Sequence, residues 1–302
     1  MLEIRVPATS ANMGPGFDCL GVALNLYNRY TVEECEEGLH IDGCEEAYRN
    51  EGNLVYVSMR KCFDEIGYGC GKIGLRIGFE SDIPVSRGLG SSAACIVGGV
   101  LAANELGSGK LSSTDILEIA SEIEGHPDNI TPALFGGMTV SIKDGSQVYY
   151  ERIKLPAGLK FCAIIPDFKL STREARAVLP ESIPYKDGVY NVGRVSLMIA
   201  ALSNGNFDLL RLACKDKLHE NYRGGLIRNY DEIVRECNRL NSLCVFLSGA
   251  GPTIMTVLRE DDSRFCTHME EYLRSLDSKW ILKELRSDSS GAFISRDPAG
   301  KI

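Results

Sequence analysis

The sequence predicts an α+β protein of two domains, on three observations. The chain has 302 residues, about twice the length of an ordinary domain. Strand-like and helix-like apolar periods are mixed along it with short connections, unlike the regular alternation of a doubly wound sheet. The pattern also restarts near Leu155-Pro156-Ala157-Gly158, which divides the chain into a first domain over 1–155 and a second over 156–302.

The elements follow in order. Ile4 to Pro7 reads as a short strand, and after a Gly/Pro/Asn loop a second strand runs from about Val22 through Tyr27 to Val32. Residues 53–66 place Leu54, Val55, Val57, Met59, Cys62, Phe63 and Ile66 at helical spacing. Lys72 to Glu80 alternates as a strand with Ile73, Leu75, Ile77 and Phe79 on one face. A helix is predicted over 91–106 and another over 114–124, where Ser112 and Asp115 form a capping signature and Gly125 a stop. Beyond the boundary, Phe161 to Ile165 reads as a buried strand. Helices are predicted over 191–203, 206–217, 227–239 and 262–275, and strands over 243–247, 253–258 and 280–285. No internal repeat or low-complexity tract interrupts them.

Composition narrows the function. Hydrophobic residues are 44% and charged residues 25% of the chain, values of a folded globular protein. The net charge of −8, with no Lys/Arg run, argues against nucleic acid or an anionic membrane as partner. Apolar stretches such as Cys162–Pro166 fall far short of the roughly 18 residues of a membrane span. Met1–Pro7 lacks the apolar core of a secretory signal, so the expected location is cytoplasmic. Eleven cysteines form no C-x-x-C pair and no zinc spacing with the four histidines, and are expected to be reduced packing residues.

Glycine clusters at 14–16, 88–90 and 249–251. In Pro84-Val85-Ser86-Arg87-Gly88-Leu89-Gly90-Ser91-Ser92-Ala93, two glycines and two hydroxyls lead straight into a helix. A helix N-terminus offers unpaired N–H donors and the positive end of the macrodipole, which suits phosphate. Its plainer reading is a serine-capped helix start. Gly88 to Ala93 also fits a dinucleotide fingerprint, but no acidic strand end follows at the required distance, and Gly109-Lys110 lacks the other residues of a P-loop. The segment Pro7–Asp18 carries Asn12 and Asp18 among small residues, and Leu247–Thr253 lies between two strands. By themselves these are a connecting loop and a hairpin turn.

Together the three loops, in this order, resemble those of the GHMP kinases, a superfamily of small-molecule kinases, and the resemblance covers essentially the whole chain. Three longer strings are similar to the homoserine kinase family within it: Val6-Pro-Ala-Thr-Ser-Ala-Asn-Met-Gly-Pro-Gly-Phe-Asp18, Glu124-Gly-His-Pro-Asp-Asn129 with Phe135-Gly-Gly137, and Ser171-Thr-Arg-Glu-Ala-Arg176 through Leu179-Pro180. The resemblance implies a ribosomal-S5-domain-2-like first domain, a ferredoxin-like second domain, a homodimer, and transfer of the ATP γ-phosphate to the hydroxyl of L-homoserine with Mg²⁺. It assigns ATP to Asn53, Pro84, Arg87, Gly88, Leu89, Gly90, Ser91, Ser92 and Ala93. Mg²⁺ falls to Ser92, with Ser91 in reserve, and to Glu122 on the acidic stripe Asp115/Glu118/Glu122, with Glu118 open. Asn12 would hold the reacting hydroxyl, Arg176 and Arg223 the carboxylate, and Asp18 and Asp128 the ammonium, helped by His126 and Thr172. Asn53 could equally be a helix cap. Thr253 would support the phosphate site from the second domain. No protein base is expected at the hydroxyl. The alternatives are a kinase for mevalonate, a sugar or shikimate, or a non-catalytic protein of the same fold.

Overall fold

A computed structural model describes residues 1–69 and 74–296. Cys70, Lys72 and Ile73, where one strand is expected to start, lie outside the described residues. The first half runs β1 (Leu2–Ala11), β2 (Leu20–Cys35), β3 (Leu39–Asp42), α1 (Leu54–Ile66), β4 (Gly74–Ser81), α2 (Ser91–Leu106), α3 (Ser113–Glu124), α4 (Ile130–Phe135), β5 (Met138–Asp144) and β6 (Gln147–Ile153). The second half runs β7 (Leu159–Pro166), α5 (Thr172–Ala177), α6 (Tyr185–Ser203), α7 (Leu210–Ala213), α8 (Glu220–Arg223), α9 (Tyr230–Arg239), β8 (Cys244–Leu247), β9 (Ile254–Arg259), α10 (Phe265–Ser275), β10 (Trp280–Leu285) and β11 (Phe293–Arg296).

Two sheets organise the molecule. In the first, the strand order is β11-β1-β2-β4-β3, with β5 and β6 carried on the start of β2. Long β2 therefore serves two neighbours on one edge, β5 at Leu20–Val22 and β4 at Asn28–Cys35. Its ladder with β1 shifts register between Pro7 and Ala8, at a residue that has no N–H to donate. The second sheet, β10-β7-β9-β8, is antiparallel throughout. β7 is covered on both faces, with Phe161, Ala163 and Ile165 in the main core and Cys162 and Ile164 under α9 and α10. That explains the continuous apolar run in its sequence.

α2 is the central helix. Eleven of its sixteen residues are buried, and it packs between α1, α3 and β1. Helix ends follow local chemistry. Asn53 caps α1, Ser112 and Asp115 form the expected capping box on α3, and Ser171 and Glu174 form a second one on α5. The helix predicted over 206–217 is broken into a 3₁₀ turn and short α7, because Asp216 turns its carboxylate to the N–H groups of Leu218, His219 and Glu220 and starts α8 instead. Asp262 likewise accepts from Arg264 and Phe265 and delays α10. The last described strand, β11, returns to the first sheet beside β1, so the division at 155 does not assign every later residue to the second sheet. No helix among the described residues is long and apolar enough to cross a membrane.

Candidate active site

A cavity of about 590 Å³ opens between the sheets. The first domain supplies Asn12, Asp18, Asn53, the Pro84–Ser92 segment except Leu89, and His126 and Asp128; the second supplies Thr172, Arg176, Arg223 and Gly249–Gly251. Most of the residues singled out in the sequence thus meet in one place.

The phosphate end is built by the start of α2. Gly90, its N-cap, is left-handed (φ +72°) and offers no capping side chain, so the first-turn N–H groups keep their donors for a ligand. Gly88 (φ +75°) lies so close to the second domain that an added Cβ would strike the carbonyl oxygens of Ser248 and Gly251. The Ser248 hydroxyl donates to the Gly88 carbonyl at 2.6 Å. Leu89 and Ala93 are fully buried beneath the loop and do not line the cavity. Arg87 lines it, but its guanidinium is spent on backbone carbonyls, Val85 at 3.2 Å, Pro166 at 2.9 Å and Asp167 at 2.5 Å. It staples the loop to the second sheet rather than pointing at a phosphate. Thr253 donates its N–H to the Arg87 carbonyl from the same side, while its hydroxyl is buried without a partner.

The metal assignment needs correction. Glu122 projects away from the cavity and pairs with Lys61 at 2.6 Å, its side chain 62% exposed; the lysine holds its carboxyl below the usual range. Glu118 does not line the cavity either. Glu124 does, and its Oε1 accepts the Ser92 hydroxyl at 2.6 Å. Burial raises the Glu124 carboxyl, against the pull of Ser92 and His126. A hydroxyl and a carboxylate in contact, beside a phosphate cradle, form a hard-oxygen donor set that fits Mg²⁺. Glu124 is the first residue of the Glu124-Gly-His-Pro-Asp-Asn129 string, whereas Glu122 of the acidic stripe lies on the solvated face.

At the far end, the Asn12 amide is engaged twice, donating to the Gly249 carbonyl at 2.8 Å and accepting the Asp18 N–H at 2.9 Å. Asp18 (φ +55°) pairs with Arg176. Asp128 is buried and accepts from His126 Nδ1 at 2.5 Å and from the Asn129 N–H at 2.9 Å. Burial alone would lower the His126 pKa, but Asp128, Glu124 and Asp18 raise it on balance. Arg223, 1% exposed, donates to the carbonyls of Ala175 at 3.1 Å and Gly249 at 3.2 Å. Burial and nearby Arg176 push its pKa down to about 10, which still leaves it charged at neutral pH.

Phe17, which the sequence reading gave no role, lies under the Arg176 and Arg223 guanidinium groups and stacks on His219. Asn53 lines the cavity as well as capping α1 with its oxygen, and its nitrogen donates to the Tyr48 carbonyl at 2.8 Å. Asn28, Tyr48, Phe79 and Ile83 join it there, residues with no motif to announce them. Cys19 follows Asp18, and burial with the Asp128 and Asp18 charges pushes its thiol up to about 11. No disulfide joins the cysteines among the described residues.

A helix start with free N–H donors, sharing one cavity with paired acids and arginines, is an arrangement suited to a small-molecule kinase. Residues 53–137 match the GHMP kinases N terminal domain and residues 198–274 the GHMP kinases C terminal domain, and the chain belongs to the GHMP kinase family with its two-domain α+β fold. Its relatives narrow this to the homoserine kinases. It is 60% identical over 97% of its length to homoserine kinase of Clostridium botulinum, of which 98% is covered. To that of Clostridium beijerinckii it is 52% identical at the same coverage of both chains. The solved homoserine kinase of Cytophaga hutchinsonii superposes with a TM-score of 0.87 at 26% identity over 97% of both chains. The L. major mevalonate kinase structure shares the fold, with a TM-score of 0.73 at 16% identity over 95% of this chain and 96% of that one.

Proposed function

We propose that this chain transfers the γ-phosphate of ATP to the hydroxyl of L-homoserine, giving O-phospho-L-homoserine. The observation that carries the reading is the pairing, in one cavity, of a donor-rich α2 N-terminus with an acid-and-arginine pocket suited to an amino acid. Mevalonate, sugars and shikimate carry no α-ammonium, and would make no use of the carboxylates of Asp18 and Asp128 on the cavity wall.

The residues divide the task. First-turn amides of α2 and the Gly88–Ser92 loop receive the triphosphate. Ser92 and Glu124 hold Mg²⁺, which when bound neutralises charge on the phosphate oxygens. Arg176 and Arg223 take the carboxylate by fork geometry, while Asp18 and Asp128 take the ammonium. Asn12, fixed by Gly249 and Asp18, sits between the two ends and orients the hydroxyl. Asp18 and Asp128 are already engaged by Arg176 and His126, so the hydroxyl proton passes to the transferring phosphoryl oxygens rather than to a side-chain base. Catalysis is then positioning and charge neutralisation. The chain is expected to act in the cytosol as a homodimer. The exposed apolar stripe Tyr185, Val189 and Val192 on α6, at 89%, 57% and 65% exposure, supports self-association, and sedimentation measures it.

The test is ADP release from Mg-ATP with L-homoserine, mevalonate, galactose and shikimate. Turnover confined to L-homoserine is expected; turnover only with another alcohol, or with none, refutes the reading.

A further inference from the structure

Asp18 and Arg176 come from different domains and make a two-point ion pair, with Nη2 to Oδ1 at 2.8 Å and Nη1 to Oδ2 at 3.1 Å. Their side chains are 35% and 38% exposed, and both line the cavity. These are the groups assigned above to opposite ends of the substrate. The pair engages both Asp18 oxygens and both terminal nitrogens of Arg176, so each end of the substrate must compete with it for those atoms. Asp128 and Arg223, which share these ends, stand outside the pair: Asp128 is bonded to His126 and the Asn129 N–H, and Arg223 to the Ala175 and Gly249 carbonyls.

We propose that the Asp18–Arg176 pair is a charge lock that selects molecules carrying an ammonium and a carboxylate on one carbon. This rests on the reading that the pocket takes L-homoserine. A zwitterion exchanges one ion pair for two, with charge-assisted hydrogen bonds on both sides. An alcohol with only the acid takes Arg176 and strands Asp18, and one with only the amine strands Arg176. Each half-substrate thus leaves an uncompensated charge in a partly closed site, a repulsive element that discriminates against it.

The lock predicts effects of opposite sign from one substitution. Dissociation constants are measured by ligand-observed NMR for L-homoserine, 4-hydroxybutanoate and 3-aminopropan-1-ol, on the wild type, Asp18→Asn, Arg176→Gln and Asp128→Asn. Asp18→Asn should weaken L-homoserine at least ~tenfold yet tighten 4-hydroxybutanoate by roughly fivefold, the upper strength of a half-exposed pair. Arg176→Gln should weaken L-homoserine and tighten 3-aminopropan-1-ol in the same way. Asp128→Asn removes an equal charge but leaves the lock closed, so it should not reproduce the gain for 4-hydroxybutanoate. The lock is overturned if neither half-substrate tightens in its unlocking variant, or if Asp18→Asn and Asp128→Asn tighten 4-hydroxybutanoate alike. The two unlocking variants are independent, and thermal melts check that each is folded. A wild type that turns over no L-homoserine refutes the proposed function instead, a result separate from a normal wild type whose variants show no gain.

Discussion

Glu124 lies two positions after Glu122, and two positions on a helix are about 200° of rotation. Glu122 therefore faces solvent and Lys61, while Glu124 turns inward to Ser92. If Glu124 is the carboxylate at the phosphate end, Glu124→Gln should lower kcat by about 10²–10³, the usual loss of one charge-stabilising group. Glu122→Gln should stay within about twofold. Steady-state kinetics over a Mg²⁺ titration checks both, and the reverse ranking would restore the stripe. At this scale the site was legible wherever a loop gathers small and polar residues, as at Asn12, Asp18 and Gly88–Ser92. It was not legible where a side chain is spent on a neighbour's backbone. Nothing in Arg87 announces that its guanidinium will be consumed by Pro166 and Asp167, whereas the cap formed by Asn53 was one of its two readings.

Short elements hold the substrate end, and they were the least visible ones. α5 and α8 have six and four residues, too few to show a period, and the β5–β6 hairpin exposes most of β6, so its pattern does not alternate cleanly. What fixes α8 is a partly buried acid. Glu220 Oε1 accepts the Leu247 N–H at 2.6 Å, tying the helix that carries Arg223 to the strand before Gly249. Burial lifts the Glu220 pKa from 4.5 to about 8. The sign follows from proton counting: between these values the folded chain holds a proton the unfolded chain has lost, so stability falls as pH rises through the window. Glu220→Gln keeps an acceptor and cannot ionise. Its melting temperature should gain on the wild type between pH 5 and pH 9, by the equivalent of ~2–5 kcal/mol at the alkaline end. A difference that stays flat with pH would mean that Glu220 is not the group responsible.

At the scale of the whole molecule, two glycine loops from different sheets close on each other at Gly88, Ser248 and Gly251. Gly88→Ala has neither the left-handed freedom nor the room. It should raise the KM for ATP at least ~tenfold and cost about 1–3 kcal/mol of stability, read by kinetics and a thermal melt. An unchanged KM would show that the loop reaches the phosphates without that contact. The two-domain α+β plan was readable because its long helices and the run of β7 are strongly patterned. The return of the last strand was not, since β11 is four residues long and half-exposed, and its partner β1 is nearly the whole chain away.

That return has a mechanical consequence. The polypeptide crosses between the sheets at Ile153–Leu159 and again at Leu285–Phe293, so the second sheet hangs from two tethers rather than one. The second crossing is itself fastened to β2, by the Asn25 N–H on the Arg286 carbonyl and the Asp288 N–H on the Ala23 carbonyl. The two walls of the cleft are thereby held in register at both ends, with Arg87 and Ser248 bonded to carbonyls across it.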